Sequence, residues 1–173
     1  MNKLIYSVLL ILFITANLCA QNSSEKQFIT IIPGKQYKAG WFHNFWFGKH
    51  WRDIWTTPIR VRVLNLSTFA GGLTPLKVGG GLQTKSLHFQ GKDGNLWKFR
   101  SINNDPTNVL ESDLKESVIA DVMQDQISSS NPFGALIVVP LLKSVNILQA
   151  KPQLVILPTD ESLGEFGEEF GGM

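Results

Sequence analysis

The sequence predicts an α+β domain in which a twisted antiparallel sheet packs against an amphipathic helix. Two stretches carry that expectation. Across residues 82–102, Leu87 and Phe89 alternate with Ser86 and His88, Gly91-Lys92-Asp93-Gly94 supplies a turn, and the chain returns from Asn95; alternation on both sides of a glycine-flanked turn is the pattern of a β-hairpin. Across residues 109–127 the period lengthens. Leu110, Leu114, Val118 and Val122 fall on one i, i+4 line with Ile119, Met123 and Ile127 beside it, which is the stripe of a helix with one buried face. A chain of 173 residues has room for one core and not for a two-lobed enzyme of ordinary size.

Residues 1–20 read as a cleavable export signal. Lys3 is the positive end, an apolar run fills residues 4–16, and the small Ala20 precedes Gln21. The run is shorter than the ~20 apolar residues a bilayer-crossing helix needs. Cys19 is the only cysteine, and Leu18 before it disfavours lipoprotein processing; cleavage after Ala20 leaves a thiol-free chain, which an oxidising compartment tolerates. Lys plus Arg number 16 against 14 Asp plus Glu, so no basic surface argues for nucleic acid as a partner.

Residues 21–38 form a leader with one apolar patch at 28–32, closed by Pro33-Gly34. Residues 39–173 form the domain. It opens with Trp41, Trp46, Trp51 and Trp55 and three phenylalanines. Phe47, Trp51 and Trp55 stand at i, i+4 and i+8, so a helix would align them. Two readings stay open for this segment. Rings beside Lys49, Arg52 and two histidines suit a membrane interface, with Trp41, Trp46, Trp51 and Trp55 as its contacts; aromatics on nearly all sides fit burial against a lobe better. Of His43, His50 and Asp53 only His50 and Asp53 have helical i, i+3 spacing and no third ligand is apparent, so no metal site is expected.

Ile59, Val61 and Val63 alternate with arginines as a half-buried strand, and a glycine-dense loop is expected from Gly71-Gly72 to Gly79-Gly80-Gly81. The loop is close to a phosphate-binding P-loop but has Thr84 where a glycine is required and opens a strand, not a helix. A glycine hairpin that lies over a nucleotide is the better match, with Lys98 or Arg100 on the next strand reaching phosphate and an acid of the following helix, Glu116, Asp121 or Asp125, facing that cation. Asn108 and Glu111 resemble a capping box, and the run from Ser128 to Pro132 stops the helix. Residues 135–139 read equally as strand or helix, with Pro140 opening a short helix; residues 153–157 read as a strand, and residues 164–173 as a tail without evident structure.

The run WRDIWTTPIRVRVLNLSTFAGGLTP at residues 51–75, with GGGLQTKSLHFQGKDG, KFRS, NNDPT and VMQDQISSSNP further on, resembles the N-terminal region of large exported proteins of Gram-negative bacteria. Those proteins are associated with the outer membrane, and some carry a calcineurin-like phosphoesterase region or a C-terminal surface-antigen β-barrel. The resemblance implies a periplasmic or outer-membrane location, a chain that continues past Met173, and outer-membrane association through that continuation. It also implies the small lobe of an atypical kinase fold, in which Gly79, Gly80 and Gly81 form the lid, Arg100 more than Lys98 reaches phosphate, and Asp121 or Asp125 faces it. No cofactor is evident in these residues themselves; ATP with magnesium is implied for the longer protein. Arginine in place of the usual lysine weakens the case for catalysis, and a non-catalytic scaffold or interaction module is the alternative.

Overall fold

The computed structural model describes residues 27–81 and 83–173; the export signal, Cys19 and the first part of the leader lie outside the described residues. The fold is α+β. Among the described residues, six strands form two three-stranded sheets, ordered β1-β2-β6 and β3-β4-β5.

The first sheet is mixed. Strand β1 (Phe28–Ile31) runs antiparallel to β2 (Ile59–Val63), with Phe28 opposite Arg62 and Ile31 opposite Ile59. Strand β6 (Val155–Ile156) lies parallel to β2 on its other side. The leader patch, the arginine-valine alternation and part of the 153–157 run thus meet in one sheet.

The second sheet is an antiparallel meander of β3 (Leu73–Gly79), β4 (Ser86–Gly91) and β5 (Leu96–Arg100). The β4-β5 hairpin forms as the alternation predicts. Asp93 closes its turn by accepting from the Asn95 amide and side chain, 3.0 Å each, and Gly94 takes φ +81°. Strand β3 replaces the long glycine loop expected there: the two glycine groups flank a strand. Pro75 concealed it, because proline donates nothing to a ladder, and the sheet accommodates it at an edge strand with a register shift between Pro75 and Lys77.

The core under this meander is built from Leu64, Leu66, Leu73, Leu87, Phe89, Leu157, Leu163 and Phe170, with Trp97 and Phe99 packed against it. No residue of the expected amphipathic helix belongs to it. That helix is shorter than predicted, α3 (Val118–Gln126), because two 3-10 turns, Pro106–Val109 and Ser112–Leu114, take its first half. Asp105 caps the first of these by accepting from the Thr107 amide at 3.0 Å, with Pro106 in the first position, so the Asn108 capping box does not form. Val118 and Ile119 face solvent, and Ala120 is the one buried residue of α3.

The tail instead covers the sheet. Leu163 and Phe170 are fully buried, Phe170 at the end of α5 (Gly167–Phe170), and Leu157 exchanges backbone bonds with Gly172 and Met173. Burial of each such side chain stabilises the fold by about 1.5–3 kcal/mol. Residues 135–139 lie in a helix, α4 (Gly134–Ser144), which contains Pro140 in its interior and not at its start.

The aromatic segment is also broken. Helix α1 (Trp41–Phe47) ends at Gly48, φ +86°, and a turn with His50 at φ +47° leads into α2 (Arg52–Thr56). Phe47, Trp51 and Trp55 therefore share no helical face. Trp55 is core, 1% exposed, with its ring edge-on to Tyr37 at 5.0 Å and Nε1 donating to the Ser130 carbonyl at 2.9 Å.

Candidate functional site

Two surfaces carry unusual chemistry. The first is the outer face of the meander. Leu87 and Phe89 point into the core, so Ser86 and His88 point the other way, as side chains alternate along a strand. Register then places Gly79, Ser86 and Arg100 in one cross-strand row and Lys77, His88 and Lys98 in the next. The two rows hold three cations and one imidazole and no carboxylate.

The glycine turn sits over one end of this face. Gly80 has φ +116°, and a methyl added there would collide with the Thr84 carbonyl, so the backbone folds this tightly because glycine is present. Ser86 is fully buried beneath the turn, its Oγ without a hydrogen-bond partner among the described residues. Such a hydroxyl forgoes about 1–3 kcal/mol and is a ready donor to any anion that reaches it. Lys98 and Arg100 are exposed, take part in no ion pair among the described residues, and line an open groove of about 1380 Å³ between the sheets. Lys85 lies 3.4 Å from Glu169, and the Lys92 stem packs beside Gly72.

The acids fall elsewhere. Asp121 is exposed on α3. Asp125 is gripped by Arg52, a residue 3% exposed, through two bonds of 2.7 Å from its terminal nitrogens; the same guanidinium donates to the Gly48 carbonyl at 3.0 Å and the Tyr37 carbonyl at 3.4 Å. His43 Nε2 approaches Asp125 Oδ1 to 3.1 Å, off the hydrogen-bond axis. The Arg52 bonds hold the Asp125 carboxyl below the usual carboxylate range; desolvation opposes them and His43 assists. Gly79 and Arg100 are thus brought together across Ser86, and Asp125 pairs with Arg52 and not with Arg100. Arg52, grouped by sequence with a membrane-facing set, is buried. Nothing in its local pattern marks it, because its partner lies 73 residues away.

The second surface is α1. His43 and Phe47 stack at 4.7 Å on the side that carries the Asp125 contact. Trp41, Phe42, Phe45 and Trp46 are 80%, 62%, 74% and 66% exposed and touch one another edge-on. At 3.6 residues per turn these four positions span an arc of about 140°. The aromatic segment therefore divides: Trp55 is core, which removes it from any interface, and α1 presents its rings outward instead of packing on the lobe. Trp51 is exposed, its amide donating to the Ser128 carbonyl at 3.0 Å.

No family model, no curated protein and no solved structure matches the chain.

Proposed function

We propose that this chain is the exported N-terminal part of a Gram-negative envelope protein, and that the outer face of its meander binds a phosphate-bearing ligand without itself transferring the phosphoryl group. The observation that carries the reading is the row Gly79, Ser86, Arg100 beside the row Lys77, His88, Lys98. A glycine turn over the first two strands of a meander, with cations on the third, is the arrangement of a kinase small lobe's nucleotide cover, and this supports the small-lobe resemblance. Arg100 offers a planar fork to phosphate oxygens, which a lysine cannot match. Catalysis is left out because the acid that would hold Arg100 is absent from its side: Asp125 is committed to Arg52 and Asp121 is turned to solvent.

Calorimetric titration of the full chain with ATP, ADP and pyrophosphate, with and without magnesium, tests the reading. Binding weakens about tenfold in Arg100→Ala and changes less than about twofold in Lys92→Ala, whose charge lies in the exposed hairpin turn. Absence of binding for all three ligands, or a larger loss for Lys92→Ala, overturns it.

A second reading has its own observation. The exposed cluster of Trp41, Phe42, Phe45 and Trp46 favours a non-catalytic contact module, in which the domain serves as an attachment surface for envelope components.

A further inference from the structure

We infer that α1 is an interfacial anchor that inserts Trp41, Phe42, Phe45 and Trp46 into the headgroup zone of an anionic lipid surface. The inference rests on the contact-module reading and is independent of the phosphate-binding face.

Three properties of the helix select a lipid surface. The first is ring type and placement: four largely exposed aromatic side chains occupy one arc and pack edge-on against one another. Rigid amphipathic rings of this kind favour the boundary between water and acyl chains, where the indole N–H stays hydrated while the ring is buried. The second is charge. From Gln27 to Arg52 there is no Asp or Glu, while Lys35, Lys38 and Lys49 are exposed. Lys49 is met by Asp53 at 3.0 Å, a solvent-exposed pair of little strength, and the Arg52 charge is cancelled by Asp125. Lys35 and Lys38, in the segment that leads into α1, are in no ion pair among the described residues, and cations beside an aromatic cluster complement anionic headgroups.

The third property is size and support. At seven residues α1 is about 10 Å long, against the ~30 Å of a hydrocarbon core, and among the described residues no helix is long and apolar enough to cross a membrane. Such an element lies in the interface plane. It is also held in place: Arg52 ties the Gly48 carbonyl at the end of α1 to Asp125 on α3, so the rings are presented without an ordering cost on insertion.

The test is flotation of the full chain with phosphatidylcholine vesicles and with vesicles of phosphatidylcholine and phosphatidylglycerol in equal parts, with brominated acyl chains as a tryptophan quencher. The expected result is co-flotation and quenching with the anionic vesicles, weaker binding to neutral ones, and a loss of about tenfold or more in Trp41→Ala/Trp46→Ala. Both substitutions lie on exposed positions, and circular dichroism of the variant checks that the fold is kept. Arg100→Ala keeps vesicle binding, which separates this surface from the phosphate-binding face. Equal binding by the double variant overturns the inference. Vesicle binding absent but self-association in sedimentation lost with the double variant overturns the lipid assignment and keeps the contact module; no change in either measurement overturns both.

Discussion

Arg52 and Asp125 are joined through two parallel bonds of 2.7 Å across 73 residues of chain, and this pair fixes the aromatic segment to α3. Desolvating an arginine to this degree is costly, and the cost is offset only while the carboxylate is present. Asp125→Asn is therefore expected to destabilise the fold by about 3 kcal/mol. Asp121→Asn, one turn earlier on the same helix and exposed, stays within about 0.5 kcal/mol of the unmutated protein. Urea unfolding followed by tryptophan fluorescence checks both. Comparable losses in the two variants would remove the ion pair as the element that holds α1 and α2.

The same pair sets an acid limit. The folded Asp125 carboxyl lies below its unfolded value, so its contribution is complete above about pH 4 and is lost as pH falls through the lower folded value. The stability difference between the protein and Asp125→Asn should accordingly shrink on acidification. At the other end, burial pushes the Tyr37 hydroxyl up, against the opposing Gln124 bond. Its contribution is present below about pH 10 and is lost as pH rises through the folded value, a limb that Tyr37→Phe should flatten. Unfolding midpoints across pH measure both limbs.

What the sequence revealed and what it hid divide along the range of the interactions. The β4-β5 hairpin was legible because alternation and turn chemistry are local: Leu87, Phe89 and the Asp93-Gly94 turn specify it within a few residues. The reach of α3 was overestimated because Leu110 and Leu114 keep the helical period through 3-10 turns, where spacing of three and four looks alike. The meander's core was misassigned for a different reason. Phe170 and Leu163 are spaced by a kinked 3-10 and α-helical turn without regular period, so only the tertiary fold identifies them as the cover of the sheet. The cations on the outer face of the meander are legible as strand alternation, while the partner of Asp125 is not, because a long-range ion pair leaves no periodic trace.

The glycine turn gives a prediction that separates two neighbouring residues. Gly80 has φ +116° and its missing side chain leaves room for the Thr84 carbonyl; Gly81 has no such φ and open space around it. Gly80→Ala should cost about 1–3 kcal/mol through backbone strain. Gly81→Ala should be neutral or raise stability by a few tenths up to about 1 kcal/mol through a less flexible unfolded chain. Thermal unfolding of the two variants decides it, and equal effects would mean that the turn is not the constrained element described.

The last prediction concerns the tail. Phe170 is fully buried beside Leu157 and Leu163, in a segment whose sequence carries no secondary-structure signal. If that segment were a loosely attached tail, truncating its side chains would change little. In the fold it supplies the layer that covers Leu87 and Phe89 of β4, and the helix expected to do so contributes no residue to that cluster. Phe170→Ala removes a ring from that layer and leaves a cavity that the short α5 turn is poorly placed to fill, since the backbone bonds of Leu157 to Gly172 and Met173 hold the segment down. The expected loss is about 3–5 kcal/mol, larger than for any substitution on the exposed rings of α1. Denaturant unfolding of Phe170→Ala beside Phe45→Ala measures the contrast: a small effect at Phe170 would show that the meander is covered by something other than its own tail.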